Sequence, residues 1–538
     1  MTAGGLVVLQ EPVRLSRSLI WDLHEATYRD RGPDVFSSED VPYRSTTSPV
    51  LARAFAELVR AFASDCLAGR FGPVSRDEPL YVVDLGGGTG RLGWHLLEQL
   101  RPEEVAPLRV VYVLTDAVES NVRFASEHPR LAGLAREGRA DFAVYRAGSG
   151  EDICLIRSGA VLAPGRVANP IVGIANYLFN VMRQDLFAEV DGEFCEELVS
   201  AVSESPALAA GSPEMLRRIG LRAELASDAG AASVNVARIL AAAKPAPSPG
   251  SRILYPGAAI EAIRRFVDIG GGRSLLLCAE RTPQALAPRT GTDRAYSPGA
   301  LIGMGAHGGT ISLPVDLDVL SAAVDDLGGE VLRSAVPASR LELFAILVGD
   351  DATPPTSRLR RKIRGTLGGE RPDDLIALIA LAAKSASVAD AAKITELIAI
   401  IAILRVAAHD PYVFRLVYGA LAESFQSSTG APRRQAIEAL ESVAALDYPL
   451  NDDYDLVYGV AAILTSAGCW SDALRCLRTA AKELGSRTQT SYNIAICELQ
   501  LGNATAARAA AAEALTLDPA NEPARSLLAQ IDGYSVPT

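Results

Sequence analysis

Lysine is scarce in this 538-residue chain, with only Lys244, Lys362, Lys384, Lys393 and Lys482 among its basic residues. The formal net charge is −12, which argues against a general nucleic-acid binder. Cysteine is sparse and scattered: Cys66, Cys154, Cys195, Cys278, Cys469, Cys476 and Cys497 form no CxxC pair. That pattern excludes a zinc ribbon and a disulfide framework, and it reads as buried thiols of a reducing compartment. Five histidines without paired spacing weaken a metal-enzyme reading, so no metal ligands are assigned. Long apolar runs are missing too. The greasiest stretch, Leu397–Leu404, stops at Arg405, well short of the roughly 18–20 residues of a membrane span. The first residues lack the basic and apolar regions of a secretory signal. The expectation is a cytoplasmic, acidic, multidomain protein.

What is present sorts into three regions. Residues 1–349 alternate β-rich runs with helical stretches, the pattern of an α/β domain with a mostly parallel sheet. Its candidate strands are Leu80–Leu85, Val110–Thr115, Asp141–Arg146, Ile171–Asn176, Ser274–Cys278 and Leu341–Val348, the last closing a hairpin with Gly329–Arg333. Between the fourth and fifth strands a helical insertion is expected over about 203–251, ending in the Pro/Ser/Ala linker Ala241–Ser251. Residues 350–374 read as a hinge with the basic run Arg358–Arg364, and residues 375–538 as helices throughout. Within that last region Gly468 and Gly502 lie 34 residues apart, as do Ala461 and Ala495, Ala473 and Ala507, and Ala480 and Ala514. That is the tetratricopeptide period, and Leu517–Asn521 (LDPAN) resembles the helix stop of those repeats. Two tetratricopeptide-like repeats with a capping helix are therefore expected over Asp452–Asp532, forming an all-α solenoid with the helices before them.

The chemistry is concentrated in Tyr81–Gly90 (YVVDLGGGTG), a strand that runs into a glycine loop and then a helix. Gly86, Gly88 and Gly90 let the backbone turn sharply and approach a ligand closely. The helix that follows presents free N–H groups. The same residues fit a dinucleotide pattern as Gly88, Gly90 and Gly93, and a glycine turn with no ligand also fits. S-adenosylmethionine is favoured because Asp84 before the loop suits a cationic amino group and would crowd a pyrophosphate. The closing hairpin is the second reason. Asp116, ending the second strand, suits ribose hydroxyls with either cofactor, or a helix cap.

Five further segments, in order, resemble the MidA-type methyltransferases: Leu23–Gly32 (LHEATYRDRG), Thr46–Pro49 (TTSP), Ala175–Asn180 (ANYLFN), Gly291–Tyr296 (GTDRAY) and Val315–Leu317 (VDL). The resemblance spans about 22–349. It implies a class I methyltransferase fold, an S-adenosylmethionine site, and in some members a protein arginine as acceptor. Thr89, within the glycine loop, is assigned to the cofactor with it; on the resemblance Thr47 and Ser48 join them, Tyr28 is a further site residue, and Asn176, Tyr177 and Asn180 face the methyl-transfer site. Departures stand at the acceptor side. Tyr177 replaces the family's glutamate, Asn180 its aspartate, and Cys278–Arg281 (CAER) its IDYG, while Thr310 and Pro314 replace an acid and a histidine. Glu280 offers one substitute carboxylate, with surface exposure the plainer account. His307 falls in a glycine-rich loop and either approaches substrate or faces solvent.

The function expected is a methyltransferase acting on a peptide or protein side chain, recruited by the helical repeats. Two alternatives stay open: a pseudo-methyltransferase scaffold for protein–protein contact, and a small-molecule methyltransferase whose repeats serve homo-oligomerisation.

Overall fold

The structure, a computed structural model, describes residues 7–38, 41–203, 216, 218–226, 232–243, 252–282, 304–307, 309–334, 341–349, 357–368, 377, 397–450 and 455–534. The Gly291–Tyr296 segment and most of the 241–251 linker lie outside them. Two compact units divide the chain, one formed by residues 1–47 and 51–373 and the other by 48–50 and 374–538.

The first unit is mixed α/β. Its main sheet contains β1 (Leu80–Leu85), β2 (Val110–Asp116), β3 (Ala140–Val144), β4 (Ile171–Asn176), β5 (Ser274–Glu280), β6 (Gly329–Arg333) and β7 (Glu342–Val348), in the spatial order β6-β7-β5-β4-β1-β2-β3. The pairs β1–β2, β2–β3, β1–β4 and β4–β5 are parallel; β7 runs antiparallel to both β5 and β6. These strands are nearly continuous apolar runs because both faces are covered. The order reverses between β1 and β4, so a crevice opens beyond their carboxyl ends, where ligands bind in open α/β sheets.

The expected helical insertion over 203–251 is corrected. Its described residues hold the strand Gly220–Leu225 and only one helix, Val234–Ala242. Gly220–Leu225 belongs to a second, antiparallel sheet with Val7–Arg14, Asp185–Val190, Glu193–Ser203 and Arg252–Tyr255. Alanine and serine in this stretch suit a helix, but Gly220–Leu225 pairs residue by residue with Val202–Glu197 and so is held as a strand. The inner face of this sheet packs Leu186, Val199, Ala201 and Leu254 against Leu15, Ile20 and Trp21. That fixes the helix Leu19–Arg31. The segment Gly303–Gly309, expected as a loop, carries the strand Gly305–His307, which pairs with Thr310–Ser312.

The hinge is corrected as well. Arg358–Gly368 is a helix with Leu359, Ile363 and Leu367 buried, and it packs on β6 and β7. Asp65 caps it, accepting from Arg358 N–H at 3.3 Å and Leu359 N–H at 2.9 Å. Its basic residues meet acids of the same unit, Arg360 with Glu330 and Lys362 with Glu57.

All described elements of residues 397–534 are helices, and each packs on the next. The 34-residue spacing maps onto equivalent positions. Gly468 (φ +73°) and Gly502 (φ +81°) end their helices in the left-handed conformation, and each donates its N–H three residues back at 3.0 Å, to Thr465 and Leu499. Ala461, Ala473, Ala495 and Ala507 are all buried between helices. Of the cysteines, Cys66, Cys278, Cys476 and Cys497 are buried, whereas Cys154 is exposed. No helix among the described residues is long and apolar enough to cross a membrane.

Candidate functional site

A cavity of about 420 Å³ lies beyond the carboxyl ends of β1 to β4. Its size falls in the usual range for a small-molecule site, roughly 300–1,000 Å³. The floor is the glycine loop. Gly87 N–H donates to the Thr115 carbonyl at 2.8 Å, which ties the loop to β2. Gly86 (φ +72°) and Gly88 (φ +57°) adopt conformations that other residues rarely take. A Cβ on Gly86 would press on Leu178 at 3.0 Å, and one on Gly88 would strike the Phe36 ring at 2.8 Å.

Two carboxylates flank this floor. Asp84 ends β1 fully buried, with its Oδ2 accepting from the Tyr112 hydroxyl at 2.6 Å. Burial pushes its pKa up to about 7; the Tyr112 bond opposes the shift, and the nearby Asp116 adds to it. The helix Arg91–Gln99 secures this arrangement, since Gly93 lies so close to Tyr112 that a Cβ would fall 2.0 Å from its ring. Asp116 accepts from Gly88 N–H at 3.0 Å through Oδ2, and from Val118 N–H at 2.8 Å and Asn121 at 3.3 Å through Oδ1. Burial raises its pKa as well, against those three donors.

The opposite wall comes from the end of β4. Asn176 donates through Nδ2 to the Thr46 carbonyl at 2.7 Å, and its buried Oδ1 has no partner. Tyr177 follows at φ +55°, donating its hydroxyl to Ser312 Oγ at 3.3 Å. Burial raises the pKa of that phenol and, further, that of Tyr28 across the cavity, so both stay protonated. The roof is the helix Leu19–Arg31 and the turn after it. His24, Tyr28, Phe36 and Tyr43 form a chain of ring contacts with centroids 5.0–6.2 Å apart. His24 Nδ1 accepts from Ile311 N–H at 3.0 Å; burial, and then Arg183, lower its pKa to about 4 and keep it neutral. At the mouth, Arg183 donates to Asp22 at 2.8 Å and to Glu25 at 2.9 Å.

The structure thus brings Asp84, Gly86, Gly88, Asp116, Thr47, Asn176, Tyr177 and Tyr28 around one cavity. Four other residues singled out in the sequence do not line it. Thr89 faces away and joins the Tyr43 hydroxyl at 2.5 Å, clipping the loop to the roof. Gly90 (φ +82°) makes room for Leu131, which a Cβ would meet at 2.4 Å. Ser48 is buried just before the helix Pro49–Leu67. Asn180 is buried behind the wall, with its backbone carbonyl accepting from Leu313 N–H at 2.7 Å. Glu280, expected at the surface, is fully buried. Phe36, Tyr43, Met182 and Arg183 belong to the cavity without any sequence motif to mark them. His24 and Glu25 lay inside the LHEATYRDRG segment, but only the 3.6-residue spacing from His24 to Tyr28 marks that face.

No family model matches the chain, and no curated protein matches it. Two solved structures from Burkholderia thailandensis resemble it. One is an uncharacterized ACR, COG1565 superfamily protein, at 16% identity and a TM-score of 0.39, covering 65% of this chain and 90% of its own. The other is a COG1565 superfamily member with S-adenosyl-homocysteine bound, at 15% identity and a TM-score of 0.38, covering 63% of this chain and 89% of its own. Likeness this distant carries no inference about activity, which has to come from the cavity.

Proposed function

We propose that the first unit is a class I methyltransferase domain that binds S-adenosylmethionine in this cavity. The proposed reaction is methyl transfer to a side chain of a peptide or protein. The observation that carries the reading is the pair of buried carboxylates, Asp84 and Asp116, on either side of a glycine floor at the reversal of the sheet. The donor set fits the group. Asp116 retains lone pairs for a ribose diol, and Asp84 is placed for an ammonium. The unpartnered Asn176 Oδ1 awaits a donor. A pyrophosphate on the glycine floor would crowd the Asp84 carboxyl, which weighs against a dinucleotide, whereas Asp116 suits either cofactor.

When bound, S-adenosylmethionine supplies an electrophilic methyl group on a sulfonium. The chain's own contribution is positioning and exclusion of water. Gly86–Gly88 would hold the cofactor, and the aromatic residues of the roof would exclude water from it. Asn176, its amide fixed by Thr46, orients the incoming nucleophile through Oδ1. Tyr28 and Tyr177 stay protonated and serve as walls rather than bases. The helices after residue 397 resemble a tetratricopeptide solenoid in period and packing. In this reading they recruit the acceptor, since such arrays present grooves for extended peptides.

One observation favours a second reading, a scaffold that binds the cofactor without turnover. Glu280, the fully buried carboxylate behind the acceptor wall, is spent on backbone N–H groups. Incubating the protein with methyl-labelled cofactor and an extract of its own cell separates the readings. Label on a polypeptide, lost in Asp84→Ala, supports protein methylation. Label only on small molecules replaces the acceptor class, and cofactor binding with no label favours the scaffold.

A further inference from the structure

The wall that faces the glycine floor is built on a backbone conformation the sequence would not choose unaided. Tyr177 sits at φ +55°, a region that side chains larger than glycine seldom enter. Immediately after it, three consecutive N–H groups turn inward and converge on one side chain. Leu178 and Phe179 donate to Glu280 Oε1, both at 2.8 Å, and Asn180 donates to Oε2 at 3.2 Å. Turned so that its amide nitrogen meets acceptors, the Asn180 side chain adds a fourth donor to Glu280 Oε2 at 2.6 Å and also reaches the Tyr177 carbonyl at 3.2 Å. Four donors around one carboxyl group suit the ionised form, which only accepts. A protonated acid would set an O–H against one of them.

The loop held this way supplies Tyr177, Leu178, Val181, Met182 and Arg183 to the cavity, and Leu178 rests against Gly86 of the floor. Glu280 itself does not touch the cavity. Resting on the reading of the cavity as an S-adenosylmethionine site, we propose that Glu280 is a positioning residue whose carboxyl group, gathering these donors, holds the 177–183 loop as the acceptor-side wall. The groups facing it are few. Tyr177 and Asn180 come from the loop, Cys278 and Arg281 from its own strand and the residue after it, and Glu342 stands opposite on β7, accepting from Thr282 at 3.3 Å. Burial raises the Glu280 pKa to about 8 against the three backbone donors, so the hold weakens as pH rises toward that value.

Hydrogen exchange of the full chain without ligand, converted to protection factors at pH 6.5 and 9, tests this directly. In the wild type, protection of the segment 177–183 is expected to fall about tenfold across that range. Glu280→Gln is expected to show low protection there with no pH trend, while the helix Arg91–Gln99 stays unchanged in both proteins. A residue that merely fills space would lower protection without removing the trend. Equal protection in the two proteins, or the same trend in the variant, would overturn the proposal. If Glu280→Gln does not fold, the wild-type trend alone decides. Affinity for S-adenosylmethionine, measured alongside, is expected to drop about tenfold in the variant. Its complete absence in the wild type would refute the cofactor reading while leaving the exchange result to judge Glu280.

Discussion

Asp84 shows how one residue couples the candidate chemistry to stability. Its carboxyl is buried, bonded to Tyr112, and has a folded pKa of about 7, whereas an unfolded aspartate titrates near 4. Between those values the folded chain holds a proton that the unfolded chain has released. This contribution is therefore fully present below about pH 4 and is lost as pH rises toward 7. Urea unfolding of Asp84→Asn and wild type at pH 5 and pH 8 should show a smaller pH 5 advantage in the variant, by at most about 2.5 kcal/mol. An unchanged difference would mean that Asp84 does not titrate in that window. The sequence made this residue legible because strand, acid and glycines are contiguous. Asp116 and Asn176 were legible too, because each ends a strand, and Tyr177 through the resemblance of the ANYLFN segment. Thr89 and Gly90 sit in the same motif yet face away, since the loop alternates between floor and support. Phe36, Tyr43 and Arg183 were illegible because only tertiary packing delivers them.

At the scale of elements, strands buried on both faces announced themselves as apolar runs, and the hairpin Gly329–Arg333 with β7 stands where the pattern placed it. The second sheet was hidden for a physical reason. Its strands are half-covered and interrupted by short polar residues, and Val7–Arg14 carries Pro12 between register shifts in the pairing. The packing of the helix Arg358–Gly368 was hidden by charge. Its arginines suggested a solvated linker helix, but Leu359, Ile363 and Leu367 recur at four-residue spacing and face the sheet. Ile363→Ala should therefore destabilise the first unit by about 2–5 kcal/mol in urea unfolding. A cost near zero would restore the linker reading.

Over the whole molecule, an acidic chain with few lysines carries a ligand cavity in one unit and a helical array in the other. The acid excess argues against a general nucleic-acid binder, and the recruiting role of the array is part of the proposal. The methyltransferase reading depends on the cavity holding S-adenosylmethionine. Titration calorimetry of the full chain with S-adenosylmethionine, with NAD as the contrast ligand, is the direct test. The prediction is saturable binding of S-adenosylmethionine and none of NAD. In Asp116→Ala the affinity should fall by roughly 10–150-fold, the worth of about 1.5–3 kcal/mol for hydrogen bonds to a charged group. No heat with S-adenosylmethionine, or tighter binding of NAD, would contradict the account at its centre.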